Sequence, residues 1–188
     1  MTPALIFLGV PPTTAVANDL VAAAANKSVG AAVHWRTGSP ALRLVKCLVI
    51  GSVPTALMGG WIVSLLGDDG AQQDALKLII GVTLLIAAVS YAVRLYLDAS
   101  GGVGRRQGME TVIRPVPTIA IGALGGLLVG ITSVGSGSLI MVALVLLYPM
   151  LSARKLVGTD LVQAVPLVVA AALSHVVTQG VTWSVLIP

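Results

Sequence analysis

Apolar runs long enough, or nearly long enough, to cross a bilayer constrain this chain more than any other feature. They cover about 14–33, 44–66, 75–97, 118–134 and 156–177, with short polar loops between them. A helix needs roughly 20 apolar residues to span the hydrocarbon layer. Composition agrees: 56% of residues are hydrophobic and 10% charged, against about 25% charged in a soluble domain. The expected fold class is an all-α integral membrane protein.

The net charge of +4 is not a nucleic-acid signal, because the basic residues fall mostly in loops, where they set orientation. Arg36 and Arg43, Arg105 and Arg106, and Arg154 and Lys155 mark loops expected on the cytoplasmic side. The Asp68-Asp69 loop belongs outside. Thr14 is a fair start for the first span, with a Thr as N-cap, and Asp74 is a fair N-cap for the third. One cysteine, Cys47, excludes an intrachain disulfide, and two histidines without a ligand cluster argue against a metal centre. No cofactor is expected. No Ser/His/Asp, HExxH or paired-carboxylate pattern supports an enzyme.

Against this background the polar residues inside the spans stand out. Asn18, Asp19, Asn26 and Lys27 lie in the first span, Asp160 in the last, and His34 and His175 toward the span ends. Charges at such depth face a cavity or mark a substrate path. Asp19 and Lys27 are eight residues apart, a little over two helical turns, and so share roughly one face. The plainer reading is an ion pair that holds helices together, with the histidines packing at the interface.

The pattern recurs. Sliding the chain on itself so that Asp19-Leu20-Val21 meets Asp160-Leu161-Val162 also matches Val16 with Val157, Ala23 with Ala164, His34 with His175 and Thr37 with Thr178. Lys27 falls on Val168, so the copies differ chemically. With the loop orientation above, the two copies enter the membrane from opposite sides, the mark of an inverted-topology repeat. The expected organisation is a first repeat over 1–98, a cytoplasmic linker over 99–117 and a second repeat over 118–188. The chain reads as a fragment of that plan, incomplete at both ends.

Gly122, Gly126 and Gly130 form a stripe suited to close helix contact. It runs into Thr132-Ser133-Val134-Gly135-Ser136-Gly137-Ser138, a Gly-rich interruption expected to break a helix or form a re-entrant hairpin. Non-helical backbone at that depth must be buried in protein or line a cavity. Free N–H groups and a following helix N-terminus would suit an anion; a tight turn between spans is the alternative.

At these residues the chain resembles the sulfite exporter TauE/SafE family of membrane permeases. The resemblance rests on Gly9-Val10-Pro11-Pro12 leading into Ala15 to Leu20, on Asn26-Lys27-Ser28-Val29-Gly30 and His34, and on Gly51-Ser52-Val53-Pro54. Gly130 to Gly137, Val157-Gly158-Thr159-Asp160 and Ala164-Val165-Pro166-Leu167 complete it. It implies a multi-pass secondary transporter of the bacterial inner membrane that exports sulfite, sulfonates or thiosulfate. The partners expected are a small sulfur oxyanion, the lipid bilayer, a coupling proton and a second copy of the chain. Lys27, Asn18, Asn26, Ser133, Gly135, Ser136 and Gly137 are the expected substrate contacts. Asp19, Asp160, His34 and His175 are expected to serve coupling or helix register. A non-transporting membrane scaffold, or a channel for another small ion, is the competing reading.

Overall fold

The computed structural model describes residues 2–36, 40–66, 70–99, 113–134, 137 and 139–179. Among them all regular structure is helical. Seven helices follow in order: α1 (Thr2–Phe7), α2 (Pro12–Arg36), α3 (Leu42–Leu66), α4 (Gly70–Ala99), α5 (Pro115–Thr132), α6 (Leu139–Leu147) and α7 (Ala153–Gln179). The linker expected over 99–117 lies mostly outside the described residues.

Among the described residues, three helices are long and apolar enough to cross a membrane, over Leu42–Leu65, Pro115–Thr132 and Arg154–Thr178. The first expected span forms as α2, 25 residues long, but Asn18, Asp19, Asn26 and Lys27 keep it out of that set. Its start differs from the Thr-capped one expected: Pro12 occupies the first turn, where a missing N–H costs nothing. In α4, Asp74 is no cap either. The helix begins at Gly70, and Asp74 instead accepts a 2.8 Å bond from Lys77 on the exposed surface.

The centre of the molecule is the α3–α5 pair, with α7 and then α2 packed outward from it. Side chains at the expected glycine stripe would prevent this. A Cβ on Gly122 would lie 2.5 Å from the Leu48 carbonyl, and one on Gly130 2.6 Å from that of Ala56. One on Gly126 would collide with the Ser52 carbonyl. The partner helix answers in kind, because Gly51 meets the Ile119 carbonyl and Gly59 meets Gly130. With little hydrophobic drive between helices in lipid, such backbone approach is what association rests on. The α4 helix packs lightly by comparison, burying Ile80 and Thr83 and leaving Leu78, Leu85, Val89 and Tyr96 exposed.

The α5–α6 segment is a hairpin with unequal arms. Tyr148, just past α6, is buried, and its hydroxyl lies 2.6 Å from Thr118 Oγ1 and accepts a 3.0 Å bond from the Arg114 N–H. The end of α6 is therefore level with the start of α5. At its other end, Ile140 presses on Gly125, where a Cβ would come within 2.6 Å. So α5 runs about 27 Å, whereas nine-residue α6 begins only opposite the middle of α5.

Candidate functional site

The break between α5 and α6 is held by side chains from both α2 and α7. Ser133 ends α5 in the left-handed conformation at φ 58°, and its N–H closes on the Val129 carbonyl at 2.8 Å. The next orphan carbonyl, that of Gly130, meets His175 Nε2 at 2.6 Å. His175 is fully buried, which differs from the interfacial place expected near the span end. The reason is the glycine stripe: α7 comes near enough to α5 for an imidazole to cap its last turn. Beside it, Ser174 donates to the Leu57 carbonyl of α3 at 2.7 Å and touches Gly60. Thr132 completes the end of α5, donating to the Leu128 carbonyl at 2.7 Å and accepting from the Val134 N–H at 3.2 Å.

Asp19 binds the break from the α2 side. Its carboxylate accepts 2.7 Å from Ser133 Oγ, 2.6 Å from Thr2 Oγ1 and 3.2 Å from the Thr2 N–H. The Thr2 and Ser133 hydroxyls are also in contact with each other. Thr2 is fully buried, so α1, α2 and the end of α5 meet at one carboxylate. Asp160 approaches from α7. It is buried, and its Oδ2 would lie 3.9 Å from a Cβ on Gly137, in the turn that leads into α6. Lys27 stands in the electrostatic field of both Asp160 and Asp19. It sits about 12 Å along α2 from Asp19, and the Asp160 charge acts on it more strongly than that of Asp19.

The structure thus brings Asp19 to Ser133 and Asp160 to Gly137, with Lys27 in the electrostatic field of both carboxylates. Asn18, the residue before Asp19, is 2% exposed, and among the described residues neither atom of its amide has a hydrogen-bond partner. Asn26 does not join, being exposed on the other side of α2 from the packed face. His34 is half-buried in the last turn of α2, away from the break. Gly135, Ser136 and Ser138 lie outside the described residues.

Three participants were not singled out from the sequence. Thr2 and Tyr148 gave no signal, since a hydroxyl at the edge of an apolar run is unremarkable. Gln163 did give one, being a polar side chain inside a span and three residues after Asp160. It is fully buried and donates 3.3 Å from Nε2 to Asp160 Oδ1. A separate cleft of about 310 Å³ lies between α2 and α7, lined by Ser28, Ala31, Ala32, Trp35, Val162, Val165 and Pro166. It contains none of the charged groups and is too apolar to hold an ion.

Long apolar helices with charged side chains buried among them are the pattern of an integral membrane protein. The comparisons agree. The model of the sulfite exporter TauE/SafE family matches residues 1–188, and the chain belongs to that family. It is also 41% identical over 172 residues to the probable membrane transporter protein YjnA of Bacillus subtilis (strain 168), covering 91% of this chain and 67% of that relative. No solved structure matches.

Proposed function

We propose that the protein is a multi-pass secondary transporter of the bacterial inner membrane that exports small sulfur oxyanions. The observation that carries this reading is that Asp19 and Asp160 flank the α5–α6 break, with Lys27 in the electrostatic field of both. In this reading the anion sits between the Lys27 ammonium and the start of α6, near the middle of α5, where backbone N–H groups and the helix dipole favour negative charge. Asn18 supplies further hydrogen bonds. Asp19 keeps α2 in register with the end of α5. Two carboxylates against one ammonium leave the site negative when all are ionised, so an anion enters favourably only in company with a proton. Family membership supports sulfur over phosphorus.

The test is ligand-induced thermal stabilisation of the full-length protein in detergent, with sulfite, thiosulfate, sulfoacetate, sulfate, phosphate and chloride. A ligand at 100 times its Kd should add about 2.7 kcal/mol to stability, a readable melting shift. The expected result is a shift with one or more sulfur anions that is lost in Lys27→Gln. Silence from every anion in a well-folded sample would overturn the reading.

A further inference from the structure

The cleft between α2 and α7 has no part in the anion reading. Small side chains make it: Ser28 and Ala32 leave room opposite Val162 and Pro166, beside the point where Leu161 packs toward Gly30. The Ser28 hydroxyl donates 2.7 Å to the Ala24 carbonyl of its own helix, so the wall stays apolar. Ser28, Ala32 and Trp35 are exposed, and the cleft therefore opens on the outer surface, toward lipid in a bilayer. One end of it is basic. The Ala41 N–H donates 2.9 Å to Thr159 Oγ1, which sets the turn after α2 against the first turns of α7. The end of α2 and the start of α7 are thereby at one end of the bundle. On α2, Ser28, Ala32 and Arg36 follow at intervals of four, so Arg36 continues the cleft wall. On α7, Val162 and Pro166 follow Lys155 by seven and eleven residues and share its face. Lys155 is about 10 Å nearer the helix start than Val162. Arg43, in the first turn of α3, and Arg154 add to this end, and all four basic side chains are exposed. Neither 28–46 nor 150–159 contains an Asp or Glu.

We propose that this cleft is a binding site for an anionic phospholipid. One acyl chain lies along Val162 and Pro166 between the two helices, the phosphate is held by Arg36 and Lys155, and Trp35 sits at headgroup level. The two parts of the site match the two parts of the ligand. Because any lipid chain is as apolar as the cleft wall, selection falls to the charges. A basic pocket between membrane helices draws an anionic headgroup, and each basic side chain near the surface is worth about fivefold in affinity. The planar guanidinium of Arg36 suits two phosphate oxygens at once. A second copy of the chain is the poorer occupant, because a two-fold contact through this face would set the basic end against itself at the same depth. A free anion would find no cation within the cleft. The inference does not rest on the anion reading; it needs only that the helices lie in a bilayer.

The experiment uses the full-length protein in vesicles of phosphatidylcholine and phosphatidylglycerol, with Trp35 kept and every other tryptophan replaced by phenylalanine. Either one lipid or the other carries bromine on its acyl chains, and the quenching of Trp35 fluorescence gives their relative affinity at the cleft. Phosphatidylglycerol should be favoured by about fivefold or more. Removing both charges, with Arg36→Gln and Lys155→Gln together, should bring the ratio close to one. Ala32→Leu, which fills the cleft and keeps every charge, should lower it as well. All three positions are exposed, so these variants keep the fold. Equal quenching by the two lipids before any of these changes would overturn the proposal. So would a preference that survives the loss of both charges. A preference left intact by Ala32→Leu would also overturn it, by showing headgroups drawn to the basic end with no chain in the cleft.

Discussion

At the residue scale, the α5–α6 break depends on a few polar contacts whose loss has a calculable cost. His175→Ala removes the partner of the Gly130 carbonyl and leaves that group buried. A loss of about 1–3 kcal/mol is expected, read as a lowered melting temperature in detergent. His175→Gln, which can still donate, should recover part of it. Asn18 makes a different prediction. With both amide atoms buried and without partners among the described residues, its place is costly for stability alone. Asn18→Leu should therefore raise the melting temperature while weakening anion binding. A rise in stability with binding untouched would remove Asn18 from the site.

At the element scale, the α3–α5 crossing governs the rest. Gly126→Ala sets a methyl against the Ser52 backbone carbonyl, and a backbone atom cannot rotate away. Loss of several kcal/mol is expected, in line with the larger overpacking penalties. Gly81 in α4 is the internal control. It has open space around its would-be Cβ, so Gly81→Ala should be neutral or stabilise by up to about 1 kcal/mol. Parallel thermal melts of the two variants check both outcomes. The glycine stripe was readable from its four-residue spacing, which puts small residues on one helix face. Its partner surface on α3 was not. Gly51 and Gly59 are eight apart, but only the crossing reveals that Leu48, Ser52 and Ala56 supply the facing carbonyls.

At the scale of the whole molecule, the unequal hairpin brings the start of α5 and the end of α6 to one level, so Arg114 and the turn before α7 lie at the same end of the molecule. In the proposed topology loop charge puts that side in the cytoplasm. With Cys47 replaced by Ser, single cysteines at Arg106 and Lys155 should react with a membrane-impermeant thiol reagent only in inverted vesicles. One at Asp69 should react in right-side-out cells. Labelling of all three from one side would refute the topology and, with it, the inverted repeat. Laying Asp19 on Asp160 also lays Pro12, the first residue of α2, on Ala153, the first of α7.

By itself the sequence determined the membrane, the helices and the charged residues that do not belong in lipid. These follow from hydropathy, length and burial cost, which are local properties summed along the chain. It also carried the glycine stripe and the recurrence of the Asp19 segment. The tertiary structure alone decided which polar groups meet. Asp19 meets Ser133 across more than a hundred residues, Asp160 meets the turn at Gly137, His175 caps a helix other than its own, and Asn26 drops out although it adjoins Lys27. Periodicity gives the face of a side chain within its own helix. It does not give the rotation and depth at which two helices pack, and those are fixed by how near their backbones can come.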